Sequence, residues 1–281
     1  MQGIGLNGKI LQKLASESSH SCLFHASLAK ILKSLRSRSQ IEFWFSLTFT
    51  NLKPSSPIMR LLKNIPLWAI LITSFSFACS PKSTFRIFEK PITWNEEREE
   101  LSLKYLKERH GLDKKEAVIE PQMVVVHWTA INSIESTFDV FDSPTLGGRA
   151  DLTGASNLNV SSQFLIDRDG TIFRLLPETT FARHTIGLNY LAIGIENVGG
   201  NEDPLTKAQL KANEMLIRHL RKKYPIEYVI GHHEYQNFQE TDLWKEADPN
   251  YRTVKTDPGD SFMQKLRKNL EDLNLKPIPT L

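Results

Sequence analysis

Apolar and polar positions beyond about residue 90 alternate between the period of short strands and that of amphipathic helices. Two apolar runs flank Asp169-Gly170, a dipeptide typical of the tight turn of a β-hairpin. Strands are predicted over 122–128, 163–168, 171–176, 191–198 and 227–230. Because strands and helices alternate irregularly, the pattern predicts an α/β domain whose central mixed β-sheet is flanked by helices.

Four segments carry helix signals. Thr93 with Glu96, and Thr206 with Gln209, have the spacing of capping boxes. The predicted helices run from these caps to His110 and Lys223, and two more cover 133–141 and 261–273, the last with Asp260 as its N-cap. These elements predict one domain over 93–281 with its core over 122–273.

The chain before this domain follows a different pattern. Residues 1–58 are Ser-rich and lack sustained periodicity, which indicates a disordered or helical leader. From Met59 a basic start followed by an uncharged run over 65–78 is typical of a secretory signal peptide, predicted here over 59–78. We therefore expect translation to begin at Met59, with 1–58 a mis-annotated extension, or alternatively a long basic leader.

Ser76-Phe77-Ala78-Cys79 is similar to a bacterial lipoprotein cleavage site, with Ser76 in place of the usual bulky aliphatic residue. Cys79 is thus the predicted lipidation site and 79–92 a polar tether. The only other cysteine, Cys22, lies in the leader, so the mature chain forms no internal disulfide. A lipid anchor of this kind predicts attachment to a membrane of the bacterial cell envelope, expected to be the outer membrane facing the periplasm.

Charge separates the same two parts of the chain. Residues 1–63 hold nine Lys or Arg against two Glu, a net of +7, and the whole chain is +3, so the remainder is 3 − 7 = −4. The basic balance belongs to the leader, and the mildly acidic remainder gives no reason to expect nucleic-acid binding.

Three segments carry candidate chemistry: VVVHWTA over 124–130, YVIGHHEY over 228–235 and VKTDPG over 254–259. Each places one potential metal ligand, His127, His232 or Asp257, at the end of an apolar run or beside a Pro-Gly turn. Two imidazoles and a carboxylate suit Zn²⁺ with one position left open. Any one of these residues alone is more often an ordinary polar side chain, whereas together they suggest a metal hydrolase that cleaves amides or esters.

The ordered set VVVHWTA, VSSQFLIDRDGTIFRLL, ARHTIGLNYLAIGIENVG, VIGHHEY and KTDPG resembles the zinc-dependent N-acetylmuramoyl-L-alanine amidases. This family includes the type-2 amidases, the anhydro-muropeptide amidases and the peptidoglycan-recognition proteins. The resemblance extends over about 123–262. It implies the fold of that family, one Zn²⁺ per chain, and hydrolysis of the amide between N-acetylmuramic acid and L-alanine in peptidoglycan or muropeptides.

The resemblance also implies roles for individual residues. The metal ligands fall on His127, His232 and Asp257, because the family pattern selects the first histidine of His232-His233. Glu196 corresponds to the general base and Lys255 to a cation beside the developing oxyanion. His184 and Asn189 fall where the family lines its substrate cleft, although a structural hydrogen-bonding role fits them equally well. The remaining histidines are expected to be ordinary surface or leader residues: His20, His25, His110 and His219.

One departure from the family pattern is the distance between the last two ligands. His232 and Asp257 lie twenty-five positions apart, whereas the family usually has about ten residues there. The extra polar segment, 236–251, fits a lid, a substrate wall or an inert loop. The alternative function is a non-catalytic peptidoglycan-binding module of the same fold, but all three predicted ligands are retained. Either protein is expected to act as a monomer.

Overall fold

The computed structural model describes residues 85–147 and 154–280. The predicted leader, the signal peptide and Cys79 lie outside these residues. Within them, no helix combines the length and the apolar character needed to cross a membrane.

A six-stranded mixed sheet forms the centre of the domain. Its spatial order is β1-β4-β3-β5-β2-β6, and only the β3–β4 hairpin pairs antiparallel. The strands are β1 (Ile87–Glu89), β2 (Met123–Val126), β3 (Phe164–Ile166), β4 (Ile172–Arg174), β5 (Ala192–Asn197) and β6 (Tyr228–Gly231). The α/β class with a mixed sheet is confirmed, and the predicted hairpin turns at Gly170, whose φ is 88°.

Among the described residues, four α-helices accompany the sheet: α1 (Glu96–His110), α2 (Ile134–Asp142), α3 (Lys207–Lys223) and α4 (Asp260–Asn269). Single 3₁₀ segments follow β6 (His232–Phe238) and α4 (Glu271–Leu273). The capping box at Thr206 and Gln209 is confirmed. Gly111, in the left-handed region, ends α1 as predicted.

Two predicted helix starts are wrong. Asn95, not Thr93, caps α1, because its side chain accepts from Arg98 N while Thr93 donates twice to Asp142 Oδ1. Gly259 precedes α4, and Asp260 is the first residue of that helix. Thr93 is hydrogen-bonded to Asp142, which is distant in the sequence, so the local sequence does not reveal that Thr93 does not cap the helix.

The tether predicted over 79–92 also differs in its described part. Ile87–Glu89 forms edge strand β1, which pairs parallel with β4. The Phe88 and Phe173 rings lie 6.1 Å apart across this pair. A three-residue strand is too short to show a period, so the domain extends further toward the N-terminus than the sequence suggests.

The sheet separates two apolar layers. On one face Val124 and Val126 of β2 belong to the main core cluster, together with residues of α3 and α4. On the other face Met123 and Val125 pack with residues of β6 and of the 3₁₀ segment after it. Because side chains alternate along a strand, His127 continues the Met123–Val125 side. A polar residue therefore follows the apolar strand residues on this second face, at the end of β2.

Candidate active site

Strand register brings the two predicted histidine ligands together. Val126 of β2 pairs with Gly231 of β6, so His127 and His232 are the next residues along two neighbouring parallel strands. Their ring centroids lie 4.4 Å apart. On the other side of β2, Val126 pairs with Ile195, which places Glu196 at the same level. Parallel strands thus present three polar side chains in a row at their carboxyl ends.

Asp257 completes the group from the loop before α4. Its Oδ2 lies 3.3 Å from His127 Nδ1 and 3.1 Å from His232 Nδ1. One ligand atom from each of the three residues lies within 4.8 Å of the others, and all three residues are buried. The main chain of Asp257 is also held, because its carbonyl accepts from the backbone N–H of His233 at 2.9 Å and lies 2.9 Å from that ring's Nδ1. His233 therefore supports the site without belonging to the ligand group.

His184 determines which nitrogen of His127 carries the proton. His184 Nε2 lies 3.2 Å from the carbonyl oxygen of Ala192, which only accepts, so this nitrogen is the protonated one. His184 Nδ1 is then an acceptor, which Thr185 Oγ1 approaches at 2.9 Å and to which His127 Nε2 donates at 3.1 Å. The free lone pair of His127 is therefore on Nδ1, on the side of Asp257 and His232. In known metal sites, second-sphere bonds of this kind orient the ligating imidazole.

Asn189 and Gly194 hold His184 in place. Asn189 Oδ1 accepts from the backbone N–H groups of His184 and Thr185, at 2.8 and 2.7 Å. Gly194 leaves room for the ring, since a Cβ at this position would lie 2.9 Å from its Cγ. The glycine in the middle of β5 is thus required by close packing.

The three residues are of the types that bind Zn²⁺. Burial, followed by the proximity of His127, lowers the pKa of His232 to about 4, so this imidazole is neutral at pH 7. Although burial opposes it, contact with the two imidazoles holds the pKa of Asp257 well below its usual range. Two imidazoles and one carboxylate are ligands of the kind that catalytic zinc sites use.

Glu196 has the properties of a buried base. Burial raises the pKa of its carboxyl group to about 7, with Asp257 adding to the rise while His127 and Lys255 oppose it. Its Oε2 is buried and has no hydrogen-bond partner among the described residues. A carboxylate left unpaired in this way is free to accept a proton from a bound molecule.

A cavity of about 370 Å³ opens over the ligand group. Lys255 lies on its wall. One part of the wall is apolar, and another is formed by polar residues that precede Lys255 in the chain. The lining includes all seven predicted site residues of the domain: His127, His184, Asn189, Glu196, His232, Lys255 and Asp257.

The extra segment over 236–251 is docked firmly on the domain. His110 Nδ1 lies 2.5 Å from Lys245 O, and Lys245 N donates to Gly187 O at 3.0 Å. Arg109 and Glu246 form an ion pair at 2.7 Å with both side chains largely buried. The ring of Trp244 lies against Gly187, where a Cβ would come within 2.6 Å. The docked segment is therefore not a loose lid.

The structure also corrects the expectation for His110, which is buried rather than on the surface. Burial lowers its pKa to about 4, so it is a neutral anchor for the extra segment. Other cavity residues escaped the sequence reasoning, among them Arg183, Tyr251 and Thr253. The position of Arg183 beside His184 was the one available signal, whereas Tyr251 and Thr253 lie in or next to the segment without a family counterpart.

Comparison with known proteins shows which family the sequence matches. The profile described as N-acetylmuramoyl-L-alanine amidase matches residues 104–260, more than half of the chain. The endolysin of Escherichia phage T7 is 34% identical over 83 residues, covering 27% of this chain and 55% of the relative. The match thus spans about half of the length of that relative.

Several solved structures are similar at low identity. The amidase LysC from Clostridium intestinale is 22% identical, with a TM-score of 0.42 over 68% of this chain and 99% of its own. The Ph2119 endolysin from the Thermus scotoductus MAT2119 bacteriophage Ph2119 is 18% identical, with a TM-score of 0.40 over 68% and 100%. Human PGRP-IβC is 16% identical, with a TM-score of 0.38 over 53% and 85%. On the strength of the sequence match over 104–260, the chain belongs to the N-acetylmuramoyl-L-alanine amidase family.

Proposed function

We propose that the protein is a zinc-dependent N-acetylmuramoyl-L-alanine amidase that cleaves the amide between N-acetylmuramic acid and L-alanine in peptidoglycan or muropeptides. The observation that carries this proposal is the buried Oε2 atom of the partly buried Glu196, which has no hydrogen-bond partner among the described residues and lines the same cavity as His127, His232 and Asp257. A metal site that served structure alone would have no need of a carboxylate kept unpaired in its cavity. Family membership supports the choice of amide bond.

His127, His232 and Asp257 would hold one Zn²⁺, with His184 fixing the tautomer of His127. When bound there, Zn²⁺ supplies Lewis-acid chemistry that activates water and polarises a carbonyl. Glu196 takes one proton from the attacking water while the water oxygen forms a bond to the carbon of the scissile amide. The same carboxyl group then gives that proton to the amine of L-alanine as the C–N bond breaks. Water and amide thus become a carboxylic acid and an amine, with no other reactant.

Lys255 contributes charge to the same step. Attack on the amide moves negative charge onto the carbonyl oxygen, and the ammonium group on the cavity wall stabilises that charge. The low polarity of a largely buried site strengthens such an interaction. Glu196 and Lys255 are thus proposed to act on the substrate without binding the metal.

The alternative, a module that binds peptidoglycan without cutting it, finds no supporting observation in the site. The groups that the amidase reaction needs, namely the predicted ligands, the proposed base and the proposed cation, all line one cavity. The deciding experiment measures zinc in the purified full chain and the release of stem peptides from isolated sacculi. Stoichiometric zinc with peptide release supports the amidase, and muropeptide binding without release supports the module.

We further propose that the protein resides in the bacterial cell envelope as a lipoprotein anchored through Cys79, expected in the outer membrane. The proposal is supported by the basic start at Met59, the uncharged run to Ala78 and the cysteine that follows. An anchored amidase would meet its substrate on the periplasmic side.

A further inference from the structure

The chain that leads to Lys255 and Asp257 presents a continuous row of side chains to the cavity. Tyr251, Thr253, Lys255 and Asp257 line the cavity, while the intervening Arg252, Val254 and Thr256 are exposed, Val254 at 89%. This alternation is that of an extended segment. Lys255 and Asp257 belong to the family motif, whereas Tyr251 and Thr253 precede it. The row that carries the catalytic groups thus continues into residues that the family pattern does not specify.

The main chain of Thr253 is fixed from behind. The hydroxyl of the buried Tyr235 donates to Thr253 O at 2.8 Å and accepts from Thr253 N at 2.9 Å. The hydroxyl Oγ1 of Thr253 is itself buried and has no hydrogen-bond partner among the described residues. A rigidly placed polar atom without a partner on a cavity wall is a group that a ligand can satisfy.

Tyr251 is held with equal firmness. Its hydroxyl accepts from Arg183 Nη2 at 3.0 Å, and the guanidinium carbon of Arg109 lies 4.6 Å from its ring centroid. Arg109 is in turn paired with Glu246 of the docked segment. The segment over 236–251 therefore delivers an aromatic side chain to the cavity in a fixed position.

At the other end of the row, beyond Asp257, an indole ring lines the cavity. Trp128 lies near Gly259, two residues beyond Asp257, and lines both the cavity and a second groove of about 690 Å³. Indole rings are common stacking partners of sugar rings, so the Trp128 side suits the glycan. The scissile amide joins glycan to peptide, and the peptide would then leave the metal in the direction of Thr253.

We propose that Tyr251 and Thr253 form a subsite for the stem peptide beyond its first residue, with the Thr253 hydroxyl bonded to a peptide amide and Tyr251 packed against the chain. This inference rests on the proposed amidase function and names the part of the substrate that the extra segment recognises. The segment acts as a fixed wall that makes the enzyme prefer substrates with a longer peptide.

The test compares Thr253→Val with Thr179→Val in the full chain loaded with zinc. Thr179 is exposed and lines neither the cavity nor the second groove, so the control makes the same chemical change away from the substrate. Two substrates are used, N-acetylmuramoyl-L-alanine and an N-acetylmuramoyl tripeptide. We expect Thr253→Val to lower kcat/KM for the tripeptide about fivefold, as for loss of one neutral hydrogen bond, and to leave the shorter substrate unchanged. Thr253→Ser, which retains the hydroxyl, restores the tripeptide rate.

Two results overturn the proposal: wild-type rates of Thr253→Val on both substrates, or an equal loss on both. If the wild type cleaves neither substrate, the amidase function fails first. Calorimetric titration with the tripeptide then decides the subsite separately, because Thr253→Val should bind it about fivefold more weakly. Equal affinity of the two proteins in that titration would refute the subsite.

Discussion

The imidazole ring of His184 lies against the backbone of Gly194, so closely that a Cβ on the glycine would be 2.9 Å from two ring carbons. This contact also affects the candidate metal site, because the His184 ring accepts a hydrogen bond from Nε2 of His127. A backbone position in the middle of β5 therefore controls the orientation of a predicted ligand one strand away.

Gly194→Ala should displace His184 and weaken zinc binding by about 10–100-fold, the usual effect of losing a second-sphere partner. Competition with a chelator of known affinity measures the change. Gly154→Ala is the matched control, since a Cβ there meets no atom within 4 Å. Unaltered zinc affinity in Gly194→Ala would show that the His184–His127 bond does not orient the ligand.

His127→Ala and His232→Ala should each remove bound zinc together with hydrolysis of sacculi, because two remaining protein ligands do not form a stable site. Zinc content by atomic spectroscopy and released stem peptide are measured on the same samples. His219→Ala, a histidine outside the cavity, should retain both. Full zinc occupancy with normal turnover in either ligand variant would contradict the assignment.

Glu196→Gln and Lys255→Ala should retain zinc and the fold, since neither side chain belongs to the ligand group. Each should lose about 10²–10³-fold in kcat, as expected for one proton-transfer group or one charge at the oxyanion. Muropeptide affinity should change far less. If both variants turned over at near wild-type rates, the reaction would depend on other groups.

The raised pKa of Glu196 also predicts an effect on stability. The metal-free folded state holds the carboxyl proton up to a pKa of about 7, above the ordinary 4.5, so wild-type stability falls as pH rises through this window. Glu196→Gln removes the titrating group. Its Tm in the absence of metal should match that of the wild type near pH 4.5 and exceed it at pH 8, as measured by thermal unfolding. An equal Tm difference at both pH values would mean that Glu196 is not buried as an unpaired carboxylate.

The predicted start at Met59 and the proposed lipid anchor at Cys79 can be tested in cells. Expression from Met59 should give the same mature membrane-bound protein as the full sequence, and Cys79→Ser should abolish lipidation and release the protein or leave it uncleaved. Fractionation with mass spectrometry of the mature N-terminus distinguishes these products. Peptides from residues 1–58 in the mature protein would contradict the start at Met59.

Much of the fold could be predicted because local signals and tertiary structure agree. The apolar run before His127 is buried on both faces of the sheet, and the capping box at Thr206 has its N-cap and N3 residues close together in the chain. The three residues of β1 could not be predicted, because their strand character arises from pairing with β4. For the same reason the burial of His110 depends on Lys245, which lies 135 residues away.

The candidate site shows the same division. The ligand group and Glu196 could be predicted from motifs, since each lies at a strand end or beside a Pro-Gly turn. The role of His184 could not, because it depends on the carbonyl of Ala192, the absence of a side chain at Gly194 and the approach of His127. The proposed subsite at Tyr251 and Thr253 could not be predicted either, because it depends on where the extra segment docks.

The pairing of Val126 with Gly231 sets a limit on how this protein can change in length. One residue added or removed within β2 or β6 would turn His127 or His232 to the opposite face of the sheet and eliminate the ligand group. Between the 3₁₀ segment and Tyr251, by contrast, the main chain contributes no ligand, and additional residues need only dock. An insertion after residue 238 is therefore compatible with the ligand group, whereas an insertion or deletion in either strand is not.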